Sequence, residues 1–446
     1  MKANKRFSEN GQASVLLAIA FIVLLAFTAL AIDGGMVYSN RRHAQNASDA
    51  SSLAGGSAAA LYLENHYVMY GDWSCSDGRV IAAQNNNPAG AKAVAIARAG
   101  SNDYAIDTDV TDKNGVSTEC VDNADNGSWI DKYLDIKTLI TTDTQTAFAH
   151  FVYSGPLRNT VEAVTRVRPR TPLAFGNAIV ALGLDCADGG IEFDGTSDAN
   201  VTGGGIFSNS CIDGSGNIDV NVFGGYDISC VLPDCYTQHG GSGSINPTPE
   251  EDTGIPIPPS AYAVPQPDCN GLPNYGNYNK DGTLEAGRYS QVKITNGDHT
   301  MEPGLYCVTG DFEINGGTLS GTSVTIYILT GNFHTSGNAT TSITAPPARS
   351  CGSPCTAKRA VPGVLVYLAE GNTNEATLLG TGDSEFLGLV YVPDGTIEAG
   401  GSSSQLAEIH AQLVGKDIKI HGTTSVVINF DDQLNYQLPA ALELFK

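Results

Sequence analysis

The chain has 446 residues, 51 glycines, ten cysteines, only 16% charged residues and a net charge of -23. That composition is wrong for a cytosolic helical enzyme and suits a turn-rich, β-rich exported protein. The negative balance excludes nucleic acid as a partner, because phosphate binding needs clustered Lys and Arg, and leaves an acidic surface that keeps an exported chain soluble.

A basic tail, residues 1–12 with Lys2, Lys5 and Arg6, comes first. Residues 13–32 follow as 20 residues without a charge, roughly 30 Å of helix, which matches a bilayer core. The cations before the span place the N-terminus in the cytoplasm. Three fates compete for this segment. Ala29, Leu30 and Ala31 form an A-x-A site for a signal peptidase, but the span is longer than the usual signal core. Cleavage after Gly11 would leave a pilin-like helix, although Leu16 stands where a pilin has Glu. Retention as an anchor is the preferred fate, with trimming after Gly11 second.

Residues 33–65 read as the same helix continuing out of the membrane. Met36, Ala44, Ala47, Ala54 and Ala58 offer a narrow stripe of small residues for packing, while Gly34, Gly35, Gly55 and Gly56 weaken the helix. Asp33, at the outer end of the span, is expected to reach headgroup water.

The polar residues around the span keep fixed offsets: Gly11 and Gln12 before it, then Asp33, Tyr38, Arg41, Arg42, Gln45 and Asp49, then "SLAGG" from Ser52. This order resembles the N-terminus of TadE/TadG-like pilus-assembly proteins of the tight-adherence (Flp) system. The resemblance covers roughly the first 65 residues. It implies a retained or leader-trimmed helix, a small α/β pilin-like domain beyond it, and other pilus-assembly or pilin subunits as partners.

Residues 66–170 are assigned to that domain. "NPAGAKAVAIARAGSNDY" carries apolar residues at helical spacing up to Gly100, and "YLDIKTLITT" alternates like a strand. "DTQTAFAHFVYSG" is expected to form a short helix capped by Asp143 or Thr144. "NTVEAVTRVRPR" alternates again, with Val161, Ala163, Thr165 and Val167 on one face. "DNADNGSW" and "DTDVTDKNG" miss the calcium-loop template, the first through Ala124 and the second through the lack of a terminal Glu, and read as acidic turns.

From residue 171 to 446 glycines recur and helical periodicity disappears. The pattern apolar, charged, apolar, any, Gly appears as "IEFDG" at Ile191, "FEING" at Phe312, "IEAGG" at Ile397 and "IKIHG" at Ile418. A second repeat pairs "LEAGRY" at Leu284 with "MEPGLY" at Met301. Short strands ending in Gly turns at about 20-residue steps favour a parallel β-helix, each rung burying its apolar face on its neighbours. A β-sandwich is the alternative. Residues 240–268 read as a Gly- then Pro-rich linker or excursion. This half is diffusely similar to Gly-rich C-terminal domains of exported pilus-associated proteins.

All ten cysteines lie beyond residue 70, as expected of disulfides in an oxidising compartment. Pairing them in chain order gives Cys75–Cys120, Cys186–Cys211, Cys230–Cys235, Cys269–Cys307 and Cys351–Cys355. None has zinc-site spacing. Glu192, Glu313 and Glu398 occupy the charged position of the repeat and Lys419 takes it in the fourth copy, so they are expected to form an outward, solvated column. A polysaccharide-cleaving coil would need such carboxylates grouped with cations or a metal. The histidines are scattered, and "NYNKDGTLE" at Asn277 has Arg288 where a calcium loop needs Glu.

The expectation is therefore a non-enzymatic, membrane-anchored component of a Flp-type pilus, acting in assembly or adhesion, with no catalytic, metal or cofactor residue. Its partners would be the bilayer through residues 13–32, other pilus subunits and surface glycans. The alternatives are an anchored or secreted β-helix enzyme acting on polysaccharide and a carbohydrate-binding surface protein.

Overall fold

The computed structural model describes residues 10–445 except 86–89, 109, 111–112, 126–129, 150–154, 188, 197, 279–281, 337, 348–358, 382, 402–406 and 423–424. The chain divides into two units, residues 1–170 with 439–446, and residues 171–438. The sequence reading assigned 439–446 to the β-helix. Its strand, Ala441–Leu444, instead pairs antiparallel with a strand of the first unit.

The first unit is built on one helix, α1 (Asn10–Asn65), with two short helices, α2 (Gly78–Gln84) and α3 (Ala91–Gly100). Three antiparallel strands follow, β1 (Gly115–Asp125), β2 (Ile130–Thr144) and β3 (Leu157–Arg168), and the C-terminal strand adds beside β3. Strand β2 absorbs Asp143 and Thr144, which were expected to cap a helix. They pair with Arg158 and Leu157 of β3, so their backbone is committed to the ladder. The expected inward face of β3 is buried: Val161, Ala163, Thr165 and Val167 point to the core.

The upper half of α1 packs on this sheet through small residues. Ala44, Ala47, Ser48, Ser51, Ser52 and Ala59 are all buried. Met36, which the sequence placed on the packing stripe, is exposed, and Ala54 and Ala58 lie at its edge. Gly55 and Gly56 are the points of closest approach. A Cβ on Gly55 would lie 2.9 Å from the Ala91 carbonyl, and one on Gly56 would lie 2.5 Å from the Thr165 methyl. The two glycines thus exchange helix propensity for contact with α3 and β3. The C-terminal strand is held by Arg166, which pairs bidentately with Asp135 at 2.8 and 2.9 Å and stacks on Tyr133 and Phe445.

The second unit is a coil of short strands. Successive rungs pair in parallel in two long sheets, which rules out the β-sandwich alternative. The rungs follow a spatial order that differs from chain order. Along one sheet the neighbours run Gly287, Tyr306, Ile326, Val366, Val390, Leu413, Ile179, Ile206 and Ile228. The chain therefore enters mid-stack at Ile179 and winds outward to Ile228. It then crosses to the far end and winds back until Leu413 meets Ile179. Thr171 and Leu438 pair where the chain enters and leaves.

Residues 240–268 make much of that crossing possible, and the expectation of a plain linker needs correction. Ile245–Asn246 is still a rung, paired with Val220 and Asn221. The Pro-rich remainder is a strap lying on the outer face of the coil. Its Ile257, Ala261 and Val264 bury against Tyr327, Tyr367 and Tyr391, and the Tyr367 hydroxyl donates to the Val264 carbonyl at 3.1 Å. This explains why the strands Val324–Ile328 and Val364–Leu368 are buried at all five positions: one face meets the coil interior and the other meets the strap. Where a rung turns, Gly203 has φ +82°, and a Cβ there would overlap the Phe430 carbonyl.

Four disulfides are present among the described residues: Cys75–Cys120, Cys186–Cys211, Cys230–Cys235 and Cys269–Cys307. The last ties the end of the strap to the coil. The Cys351–Cys355 pairing falls outside the described residues.

Candidate functional site

The first feature is α1 itself. Its 18-residue apolar window has a mean hydropathy of 3.0 and none of it is buried, so the apolar half of the helix projects free of the fold. The fixed-offset residues lie just beyond. Asp33 is only 3% exposed, contrary to the expected water contact. Its carboxylate accepts hydrogen bonds from the backbone N–H groups of Ala147 at 2.7 Å, Phe148 at 3.0 Å and Ala149 at 2.5 Å. Three convergent donors satisfy a buried negative charge that would otherwise be costly. About two turns further out, Asn40 donates to the Thr144 hydroxyl at 3.0 Å. Gln45 donates to Asp49 at 2.7 Å and to the Glu162 carbonyl at 3.2 Å. Ser48 and Ser51 donate to the Thr138 and Ala95 carbonyls. These polar residues are therefore the docking side of the helix. Tyr38, Arg41 and Arg42 are exposed, and Gly11 and Gln12 lie in the helix's first turn.

Residues 11–60 match the Flp pilus-assembly TadE/G-like family. The match ends within α1, so the TadE/G-like segment comprises the apolar half of the helix and most of the half that docks on the sheet. Residues 268–436 match a second family, a domain of unknown function (DUF7305). That match begins at the end of the strap and takes in the returning part of the coil, leaving the rungs from Ile179 to Asn246 outside it. No curated protein matches the chain.

The second feature is the outward face of the coil. The three glutamates of the repeat lie in a single column. It runs Lys293, Glu313, His334, Thr377, Glu398, Lys419, Glu192 and Asp213. Lys293 pairs with Glu313 at 2.9 Å, and Lys419 stands between Glu398 and Glu192. A cleft of about 420 Å³ opens beside this column, lined in part by Thr373, Asp394, Asp417, Lys419, Glu192 and Asp213.

Sequence reasoning missed the groups next to it. Glu375 lies on the rung beside Thr396, two positions before Thr377, and hydrogen-bonds Glu398. Partial burial, then the hydrogen bond and charge of Glu398, push the Glu375 carboxyl up to about 7. Burial opposes the ionised form of Glu398 as well, yet the hydrogen bonds from Glu375 and His421 hold it below the usual carboxylate range. His421 donates from Nε2 to Glu398 Oε1. The pair therefore holds one proton across the mildly acidic range. The repeat pattern hid this cluster because Thr377 takes the Glu place on that rung. Among the described residues no group of three or more His, Cys, Asp or Glu side chains is arranged to hold a metal ion.

A pH dependence follows. The raised pKa of Glu375 contributes stability that is complete below its ordinary value of 4.5 and is lost as pH rises through about 7. The lowered pKa of Glu398 acts in the opposite sense, below its ordinary value. Thermal unfolding of Glu375→Gln is expected to lose less stability than the unsubstituted protein between those two pH values. Parallel melting curves for both proteins across that interval would show that the shared proton is absent.

Proposed function

We propose that this protein is a minor, pilin-like structural component of a Flp-type pilus, acting in pilus assembly or surface attachment rather than in catalysis. The TadE/G-like match and the free apolar helix together support a membrane-anchored, Tad pilus-related protein. The observation that carries the finer reading is the division of labour within α1. One half is apolar and uncovered, and the other is fixed to a folded unit by polar residues at set offsets. In this reading residues 13–32 sit in the bilayer, the N-terminus faces the cytoplasm, and the disulfide-bonded units are exported. The coil is then displayed outward, and its ladder of mixed charges is the face offered to surface glycans.

Deletion of the gene in its native host is expected to reduce pilus number or surface adhesion, and the tagged protein is expected to co-purify with pilus components. A deletion strain with normal pilus number, length and adhesion, together with no co-purification, would remove this reading.

A further inference from the structure

We propose that the first unit makes a second membrane contact, an aromatic collar of Phe148 and Tyr38 seated in the lipid headgroup layer around the outer end of the span. The inference rests on residues 13–32 being that span. It adds a surface, a depth and a class of partner: phospholipid headgroups.

The depth comes from Asp33. It directly follows Ile32, the last residue of the uncharged stretch, so its backbone marks the edge of the hydrocarbon core. Its carboxylate holds the amides of residues 147–149, which fixes the loop after β2 at the same level. Phe148 sits in that loop with 42% of its surface exposed. Tyr38 is 69% exposed and lies five residues on, about 7.5 Å along the helix axis. The headgroup layer on each side of a bilayer is about 5–8 Å thick, so both rings fall within it. Aromatic rings favour that zone, where an apolar body and polar surroundings coexist.

The neighbouring chemistry agrees. Ile32, Met36 and Phe148 are all exposed apolar residues at or just beyond the end of the span, the kind of surface that the interface accepts. Arg41 and Arg42 are exposed about 12–14 Å beyond Asp33, outside the headgroup layer, from where long cationic side chains reach back toward phosphate. The Asp33 lock also suits that depth. A loop entering the interface must satisfy its own backbone donors, and three of them are satisfied by this one carboxylate.

The test is tryptophan fluorescence of the full chain in phosphatidylcholine vesicles carrying bromine either near the glycerol end or near the methyl end of the acyl chains. Two variants, Phe148→Trp and Phe21→Trp, are compared with the unsubstituted protein, which supplies the background of its two native tryptophans. The added signal of Phe148→Trp is expected to be quenched more by shallow bromine than by deep, and that of Phe21→Trp more by deep bromine. Phe148 is exposed, so its replacement leaves the core intact. Quenching of Phe21→Trp with none of Phe148→Trp would overturn the collar and leave the anchor standing. Quenching of neither would overturn the anchor and the collar together.

Discussion

Phe333→Ala is expected to lower the unfolding free energy of the coil by about 3–5 kcal/mol, the range for a fully buried aromatic cut back to a methyl. Phe333 has no exposed surface, and its ring stacks on Phe312 with centroids 5.7 Å apart. The rung on its other side offers only Ala376. The rungs above and below are fixed by backbone ladders, which limits how far their side chains can move into the cavity. Collapse is therefore poor and the cost should fall at the upper end of the range. A chemical denaturation midpoint that moves by less than a surface substitution would show that the coil is not packed in this way.

Asp33→Ala is expected to release the loop after β2, at a cost of about 2–5 kcal/mol, because it removes the charged member of a buried charge–dipole cluster. Three amides, those of Ala147, Phe148 and Ala149, lose their acceptor at once. Hydrogen exchange at these amides is the direct readout, and they should lose their protection while those of β2 and β3 keep theirs. Asp33→Asn, which keeps one acceptor oxygen, should fall between. Unchanged protection in the alanine variant would mean that the carboxylate is not what holds the loop.

The two features differ in how much of each was written in the sequence. The helix and part of its packing stripe were legible because helical spacing is local: Ala44 and Ala47 are buried as expected, while Met36 is exposed and the docking role of Gln45, Ser48 and Ser51 was not read. The role of Asp33 was not legible. Its partners lie more than 100 residues away and contribute only backbone, which no side-chain pattern records. The coil was legible as rungs, because inward and outward positions alternate within each strand, and the column of Glu192, Glu313 and Glu398 followed from that. The order of the rungs was hidden. Nothing local in Leu413 announces that Ile179 is its neighbour. Glu375 was missed for the same reason: its closeness to Glu398 depends on register between rungs. The strap passed for a linker because Pro-rich composition signals an extended chain and says nothing about what that chain lies against.

The spatial order of the rungs has a consequence for the order in which sheet edges close during chain synthesis. The part of the coil from Ile179 to Asn246 comes first in the chain, with the Ile179 edge waiting for Leu413. The first unit waits longer still, since Thr165 and Val167 of β3, paired on one side with Ile136 and Leu134, gain their second neighbours only with Leu444 and Leu442. Two sheet edges thus stay open until the segment from Leu413 to Leu444 is in place, and that segment closes both. During that interval both edges are open to pairing with a strand of another chain, which is the hazard that unpaired edges carry.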